Sequence, residues 1–247
     1  MIYGIFRAAD KLLRASRVLA LTGGVALAGT ALAMTVEVQG NAVFAAGDIG
    51  PKDILKFREA VSRPGIDTLV LVDSEGGDLY TSFHLARVVA ARRLKTVVAG
   101  QCSSACAIIF MGGVERSFSG AYAPQDTFVG IHGAISRIDG KVNGVVAAQI
   151  YAFFKRNMGV YFHEDIMELA VYGMQDAGSL LRVFDATRQP KRDPYHCESG
   201  QTARQNCTDF KDQNALSLGL VTTNLLSSLK LPGDLLKPKA IGGLRPS

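Results

Sequence analysis

The stretch TLVLVDSEGGD, residues 68–78, decides the fold class of this 247-residue chain. Its apolar run from Thr68 to Val72 is typical of a strand that is covered on both faces of a sheet. Gly76 and Gly77 follow directly before a helical pattern, and they permit backbone angles that other residues rarely adopt. A buried strand, a glycine turn and a helix in this order favour parallel strands joined by crossover helices.

The same alternation of strands and helices continues on both sides of this stretch. It predicts strands at 35–44, 68–72, 96–99 and 127–131, and helices at 52–62, 80–93, 105–111, 145–156, 164–171 and 215–220. We therefore expect one α/β domain over residues 35–228, with mostly parallel strands and crossover helices. The last residues, 229–247, are rich in Pro and Gly and are predicted to form a flexible tail.

The N-terminal segment, residues 1–33, has the composition of an export signal. Four basic residues and one acidic residue precede an apolar run, which begins at Val18 and closes on Ala31-Leu32-Ala33. This small-x-small ending predicts cleavage before Met34. The alternative is an uncleaved membrane anchor through residues 18–36, since that length approaches the ~20 residues that span a bilayer. Both readings predict a periplasmic or cell-envelope protein.

Charge and cysteine usage narrow the function classes further. The net charge is +5, but much of it lies in the N-terminal segment, so the nearly balanced body offers no electrostatic footprint for nucleic acid. Cys197 and Cys207 flank a polar loop, and in an exported chain they predict a disulfide. A Zn site that includes the adjacent His196 is the alternative, although no second Cys-x-x-Cys supports it.

Two polar turns follow predicted strands, where α/β sheets place their functional sites. GQCSSAC, residues 100–106, puts Ser104 at the start of a helix, where the helix dipole and the N–H of Ala105 can stabilise an oxyanion. Helix capping is the structural alternative for this serine. GIHG, residues 130–133, puts His132 at a strand end, and the near-neutral pKa of histidine suits a general base.

Taken in order, SEGGD, GQCSSACAIIFMGG and VGIHG resemble the proteolytic subunit of Clp protease and its exported relatives in the crotonase-like superfamily. The resemblance runs from about Val43 to Gly133, and NALSLGLVT resembles the family's closing helix and strand. It implies a Clp-protease/crotonase-like fold with Ser104 as nucleophile and His132 as base. The implied oxyanion hole is formed by Gly76, Gly77 and Ala105.

Some positions depart from the family pattern or leave its assignment open. An insertion at about 180–207 obscures the third triad member, for which Asp209 is preferred and Asp176 is the alternative. A Ser–His pair without an acid is also compatible with the sequence. Ser103 is a less favoured candidate for the nucleophile. The sequence leaves open whether Cys102 and Cys106 are bridged.

The resemblance implies an exported serine peptidase that acts on peptides or unfolded chains without ATP. No Gly-x-x-x-x-Gly-Lys-Ser/Thr loop is present, so we expect no ATP hydrolysis by the chain itself. Clp peptidases work with a cytosolic ATPase, which an exported relative would not meet, so we expect no ATPase partner. No cofactor is expected either. A homo-oligomer remains open. The main alternative is an inactive peptide-binding scaffold of the same fold. An acyl-CoA enzyme fits export poorly, and no lysine is placed clearly enough for a Ser–Lys peptidase.

Overall fold

The computed structural model describes residues 34–136, 141–176, 178–189, 192–198 and 207–236. The predicted export segment, 1–33, lies outside these residues, and so does the last part of the predicted tail, 237–247. Within the described ranges, no helix has both the length and the apolar character needed to cross a membrane.

Nine strands and five α-helices are described. The strands are β1 (Thr35–Gln39), β2 (Ala42–Ala46), β3 (Thr68–Ser74), β4 (Lys95–Ser103), β5 (Arg116–Phe118), β6 (Phe128–Ile131), β7 (Leu180–Phe184), β8 (Tyr195–Cys197) and β9 (Cys207–Asp209). The helices are α1 (Asp53–Val61), α2 (Leu79–Ala91), α3 (Ala105–Phe110), α4 (Gly144–Met158) and α5 (Glu164–Tyr172). The predicted alternation of strands and helices is confirmed.

The strands form one mixed sheet in the order β1-β2-β3-β4-β6-β7-β8-β9, with β5 paired to β4. Its centre is parallel, from β2 through β3 and β4 to β6. Both flanks are antiparallel, because β1 pairs with β2 as a hairpin and β7, β8 and β9 follow β6 in antiparallel register. The expectation of mostly parallel strands therefore holds only for the centre, and the segment read as an insertion contributes β7 and β8 to the sheet.

The two faces of the sheet are covered by different parts of the chain. The large apolar core contains residues of all five helices packed against one face, and its bulkiest buried side chains include Phe57, Phe110 and Phe154. On the other face, a smaller cluster from β2, β3 and β4 is covered by the C-terminal segment, where Leu231 is buried. The loops after the central strands are thus left at one edge, between the helices, where a site can form.

Three sequence predictions need correction. The strand predicted at 35–44 is a hairpin, because Gly40 turns the chain with φ +61°. Residues 215–220, predicted to be a helix, form a series of turns. The turns begin at Asn214, whose side-chain oxygen accepts hydrogen bonds from the amides of Leu216 and Ser217. Residues 229–236 are not a loose tail, since they cover the sheet and the Tyr122 hydroxyl donates to the carbonyl of Leu235.

Candidate active site

A cleft of about 640 Å³ lies beyond the C-terminal ends of three parallel strands, β3, β4 and β6. This is the position at which α/β sheets bind ligands. The lining residues come from the end of β6, from the loops after these strands, from α3, α4 and the start of α2, and from the turn after α5. They are Gly77, Asp78, Leu79, Ser104, Ile108, Ile131, His132, Gly133, Ala134, Ile135, Ser136, Ile150, Phe154 and Met174. Ser104, His132 and Gly77, which are distant in sequence, therefore share one cleft.

Ser104 occupies a strained backbone conformation between β4 and α3. Its angles, φ 58° and ψ −122°, are rarely adopted by residues other than glycine. Such strain typically costs about 1–3 kcal/mol and persists only where the surroundings hold it. The amide of Ser104 donates to the carbonyl of Gly130 at 2.9 Å, which ties the turn to β6. The Ser104 side chain makes no capping hydrogen bond to α3, so the alternative of an ordinary helix cap does not apply.

The glycine turn after β3 packs directly against the serine turn. A methyl group at Gly76 would meet the carbonyl oxygen of Ser103 and the Cβ of Ser104, each at 2.7 Å, and the amide nitrogen of Ala105 at 2.9 Å. Gly76 and Gly77 have φ angles of 110° and 136°. Both positions thus require glycine for conformational and steric reasons.

Two backbone N–H groups remain unused at this junction. Among the hydrogen bonds of the described residues, none has the N–H of Gly77 or of Ala105 as its donor. The backbone of Ile49 makes a hydrogen bond on each side of Gly77. Its N–H donates to the carbonyl of Gly76 at 2.7 Å, and its carbonyl accepts from the N–H of Asp78 at 2.8 Å. These two bonds hold the turn on both sides of Gly77, which lines the cleft, so the N–H of Gly77 can donate to an anion bound there. Ala105 is fully buried and does not line the cleft.

His132 follows β6 and lines the same cleft. Its Nδ1 is buried and has no hydrogen-bond partner among the described residues. Burial lowers the pKa of His132 below its ordinary 6.5, and a backbone contact with Gly133 opposes this effect. The next position requires glycine, because a Cβ there would lie 2.0 Å from the carbonyl oxygen of Val171. Because its pKa lies below 6.5, His132 is neutral at pH 7 and can accept a proton.

The two candidate acids do not line the cleft. Asp209 is exposed on β9. In the register of the antiparallel flank it lies opposite Tyr195 of β8, Tyr195 lies opposite Arg182 of β7, and Arg182 lies opposite Gly130 of β6. Three strand spacings separate Asp209 from β6, or roughly 14 Å. Asp176 is exposed in the turn after α5 and accepts a hydrogen bond from the amide of Gly178. Neither carboxylate is a hydrogen-bond partner of the buried Nδ1 of His132.

Ser103 is separated from the cleft although it adjoins Ser104. Its hydroxyl is buried, has no hydrogen-bond partner among the residues described, and faces Gly130, where a Cβ would lie 2.5 Å from the oxygen. Ser103 pairs with Gly130 in the β4–β6 ladder. Of the two adjacent serines, Ser104 lines the cleft and Ser103 is buried in the sheet.

The four cysteines form two pairs at disulfide-bonding distance. The sulfur atoms of Cys197 and Cys207 lie 1.98 Å apart and join β8 to β9, as predicted. Those of Cys102 and Cys106 lie 2.01 Å apart and bracket Ser104, which resolves the question that the sequence left open. Across the described part of the chain, no cluster of three or more His, Cys, Asp or Glu side chains is arranged to hold a metal ion.

Sequence reasoning missed the apolar walls of the cleft. Ile108, Ile150 and Phe154 lie on helices at positions whose periodicity also suits ordinary core residues, so no sequence signal separates them. It also missed an isolated antiparallel bridge between Ile135 and Val142, beside which the amide of Ser136 donates to the carbonyl of Lys141. Ala134, Ile135 and Ser136 line the cleft.

No family model and no curated protein matches the chain. Distant matches occur among solved structures. A mutant of a membrane-bound stomatin-specific protease is 14% identical with a TM-score of 0.41, over 53% of this chain and 67% of that chain. An enoyl-CoA hydratase from Polaromonas sp. JS666 is 9% identical with a TM-score of 0.37, over 57% and 63%. A protein assigned as an enoyl-CoA hydratase from Rhodopseudomonas palustris CGA009 is 9% identical with a TM-score of 0.30, over 39% of this chain. The chain spans about half of that protein, 47% of its length. These matches are a distant likeness to the crotonase/Clp-protease-like fold and carry no information on activity.

Proposed function

We propose that this protein is a serine hydrolase that cleaves peptides or unfolded chains, with Ser104 as nucleophile and His132 as general base. The observation that carries the proposal is the shared cleft, in which the strained Ser104 and the neutral His132 lie with the backbone of Gly77. Strained backbone, unpaired buried polar atoms and a lowered histidine pKa are features that concentrate at active sites.

The proposed reaction proceeds in two stages. Ser104 Oγ attacks the substrate carbonyl while His132 takes its proton, and the N–H groups of Gly77 and Ala105 donate to the oxyanion. The tetrahedral intermediate collapses as protonated His132 gives its proton to the leaving amine. Water, deprotonated by His132, then attacks the acyl ester, and as the second tetrahedral intermediate collapses His132 returns the proton to Ser104 Oγ and the acid is released.

The pair is proposed to operate without Asp209. That carboxylate lies on the outermost strand of the antiparallel flank, and Nδ1 of His132 has no partner among the described side chains. Burial and the backbone around Gly133 would then orient the ring in place of an acid. A histidine without an acid is a weaker base than a full triad supplies, so turnover is expected to be modest.

Fluorophosphonate labelling with intact-mass detection tests the proposal. The parent chain should gain one adduct, and Ser104→Ala should lose it together with hydrolysis of a broad peptide library. His132→Ala should slow both by ~10⁴-fold, whereas the matched control Ser103→Ala should leave both nearly intact. Asp209→Asn should change the rate by less than about 3-fold, against the ~10⁴-fold loss when a functioning triad acid is removed.

Two results would overturn the proposal. If Ser104→Ala hydrolyses peptides as fast as the parent, the nucleophile is wrong. If the parent neither labels nor cleaves any peptide but binds members of the library, the chain is an inactive peptide-binding scaffold of the same fold.

We also propose that the protein is exported to an oxidising compartment, the periplasm or cell envelope. Two disulfides are consistent with an oxidising environment. Met34, the first residue after the proposed cleavage site, is buried in the core, and the Lys56 ammonium donates to its carbonyl. N-terminal sequencing of the exported protein should begin near Met34, and a soluble cytoplasmic form that starts at residue 1 would contradict export.

The remaining partner assignments follow from these proposals. An exported peptidase does not meet a cytosolic ATPase, so peptides and already unfolded chains are the proposed substrates, without an ATPase partner or a cofactor. Homo-oligomer formation and anchoring through residues 18–36 remain proposals, which size measurement of the detergent-extracted and the soluble protein can test.

A further inference from the structure

The Cys102–Cys106 disulfide spans the residue that carries the proposed chemistry. Cys102 lies in β4, two residues before Ser104, and Cys106 lies in the first turn of α3, two residues after it. Their Cα atoms are 5.2 Å apart, and both side chains are fully buried. The bond therefore links the strand to the helix across the strained turn.

The two ends of α3 are tied to β4 in different ways. At the C-terminal end, the Thr96 hydroxyl donates to the carbonyl of Phe110 at 2.8 Å, inside the core. At the N-terminal end, no side chain caps the helix, and the disulfide makes the connection to β4. Because α3 has only six residues, its own hydrogen bonds are too few to define the first turn.

Hydrogen bonds hold the side of Ser104 that faces β6. The amide of Ser104 donates to the carbonyl of Gly130, and Ser103 pairs with Gly130 in the sheet. On the side of Ser104 that faces α3, the N–H of Ala105 has no acceptor among the described residues, and that side is held by packing against the glycine turn and the core. The disulfide is the covalent cross-link that fixes Cys106, and with it the first turn of α3, relative to β4.

We propose that Cys102 and Cys106 are positioning residues, and that their disulfide makes the activity of Ser104 conditional on folding in an oxidising compartment. The inference rests on the proposed function. In the reduced chain the turn relaxes, and Ser104 and the N–H of Ala105 lose their shared orientation. The oxidation is balanced by a small disulfide such as oxidised glutathione. The two cysteine thiols lose two protons and two electrons as their sulfurs join, and the glutathione disulfide becomes two thiols.

The matched control is the other bridge, which joins β8 to β9 and does not line the cleft. We compare the parent, Cys102→Ala/Cys106→Ala and Cys197→Ala/Cys207→Ala. The readouts are the rate of fluorophosphonate labelling, amide hydrogen exchange of a peptide that spans residues 100–110, and the thermal unfolding midpoint. Loss of the site bridge should slow labelling by about 10²-fold, the cost of misplacing a catalytic group by ~1 Å. Loss of the control bridge should lower the midpoint but leave labelling within about 2-fold of the parent.

A single chain can also be examined in both redox states. Cys197→Ala/Cys207→Ala retains only the site bridge, so it is refolded with oxidised glutathione or with dithiothreitol, followed by labelling. The oxidised form should label about 10²-fold faster, and exchange within residues 100–110 should rise in the reduced form while the central strands stay protected.

Three outcomes would overturn the inference. Equal labelling and equal exchange with and without the site bridge would remove any positioning role. Exchange that rises evenly over the whole sheet would assign the bridge to general stability. If the parent does not label at all, the proposed function fails. In that case hydrogen exchange still tests the positioning role, which is overturned if exchange at residues 100–110 is unchanged when the Cys102–Cys106 bridge is removed.

Discussion

His132 is the residue whose protonation state controls the proposed reaction. Only neutral imidazole can take the proton of Ser104, and burial lowers the pKa of His132 below 6.5. The acidic limb of kcat/KM against pH should therefore have its midpoint below pH 6.5, and activity should fall as pH drops through that value. A pH–rate profile of the parent with a fluorogenic peptide measures this. A midpoint above 6.5 would mean that another group titrates or that a carboxylate stabilises the charged ring.

Gly76 tests how tightly the two turns must fit. Gly76→Ala places a methyl group 2.7 Å from Ser104 Cβ, whereas Gly65, which also has a positive φ, has nothing within 4 Å of that position. Both substitutions should cost about 1–2 kcal/mol of unfolding free energy through the backbone angle. Only Gly76→Ala should also slow fluorophosphonate labelling, by ~10²-fold, because it displaces the nucleophile. Equal labelling of the two variants would show that the glycine turn does not position Ser104.

At the scale of secondary-structure elements, Arg116 connects β5 to the turns that end the domain. Its guanidinium is buried and donates to the carbonyls of Gly113, Gly219 and Leu220 at 2.8–3.0 Å. A weaker contact reaches the carbonyl of Asn157 at the end of α4. The pKa of Arg116 is lowered by burial, and the group stays charged. Arg116 thereby supplies hydrogen-bond donors to the carbonyls of Gly219 and Leu220, in the turns that follow Asn214.

Removing this guanidinium should destabilise the domain. Arg116→Met leaves several buried carbonyls without donors, at about 1–3 kcal/mol each, so urea denaturation should show a loss of at least roughly 3 kcal/mol. The control is Arg63→Met, which removes an exposed pair with Glu59 and should change stability by less than about 1 kcal/mol. Equal small losses would mean that water or chain rearrangement satisfies those carbonyls.

For the whole molecule, His196 links stability to pH. It lies on β8, is fully buried, and neither ring nitrogen has a hydrogen-bond partner among the described residues. Burial, together with the positive charge of Arg182, lowers its pKa from 6.5 to about 4. The unfolded state binds a proton to this ring at higher pH than the folded state does. The stability associated with neutral His196 is therefore present above pH 6.5 and is lost as pH falls toward 4.

Denaturation of the parent and of His196→Leu at pH 7 and pH 5 tests this linkage. The free energy of unfolding of the parent should fall between these pH values, and the fall should be smaller in His196→Leu. His163→Asn, which alters an exposed histidine, should follow the parent. If all three chains lose the same free energy, protonation of His196 does not contribute to the acid sensitivity.

Local sequence patterns determined the central strands, most of the helices and the turns between them. A short apolar run such as 68–72, bounded by turn residues, predicts a covered strand, and paired glycines permit a turn through backbone sterics alone. For the same reason Ser104, Gly77 and His132 could be selected, since each directly follows a strand and parallel strands end at one edge of a sheet. The Cys197–Cys207 pair was also predictable, because only a short polar loop separates the two cysteines.

Only the tertiary structure decided the antiparallel flank, the packing of residues 229–236 and the distance of Asp209 from His132. These features depend on which distant segments pair, and packing decides this without any period in the sequence. The sequence favoured Asp209 as the third triad member, but the pairing of β7, β8 and β9 places three strand spacings between it and β6. The Cys102–Cys106 bond likewise became evident only when the turn at Ser104 brought its two neighbours within bonding distance, because two cysteines four residues apart meet in some backbone conformations and not in others.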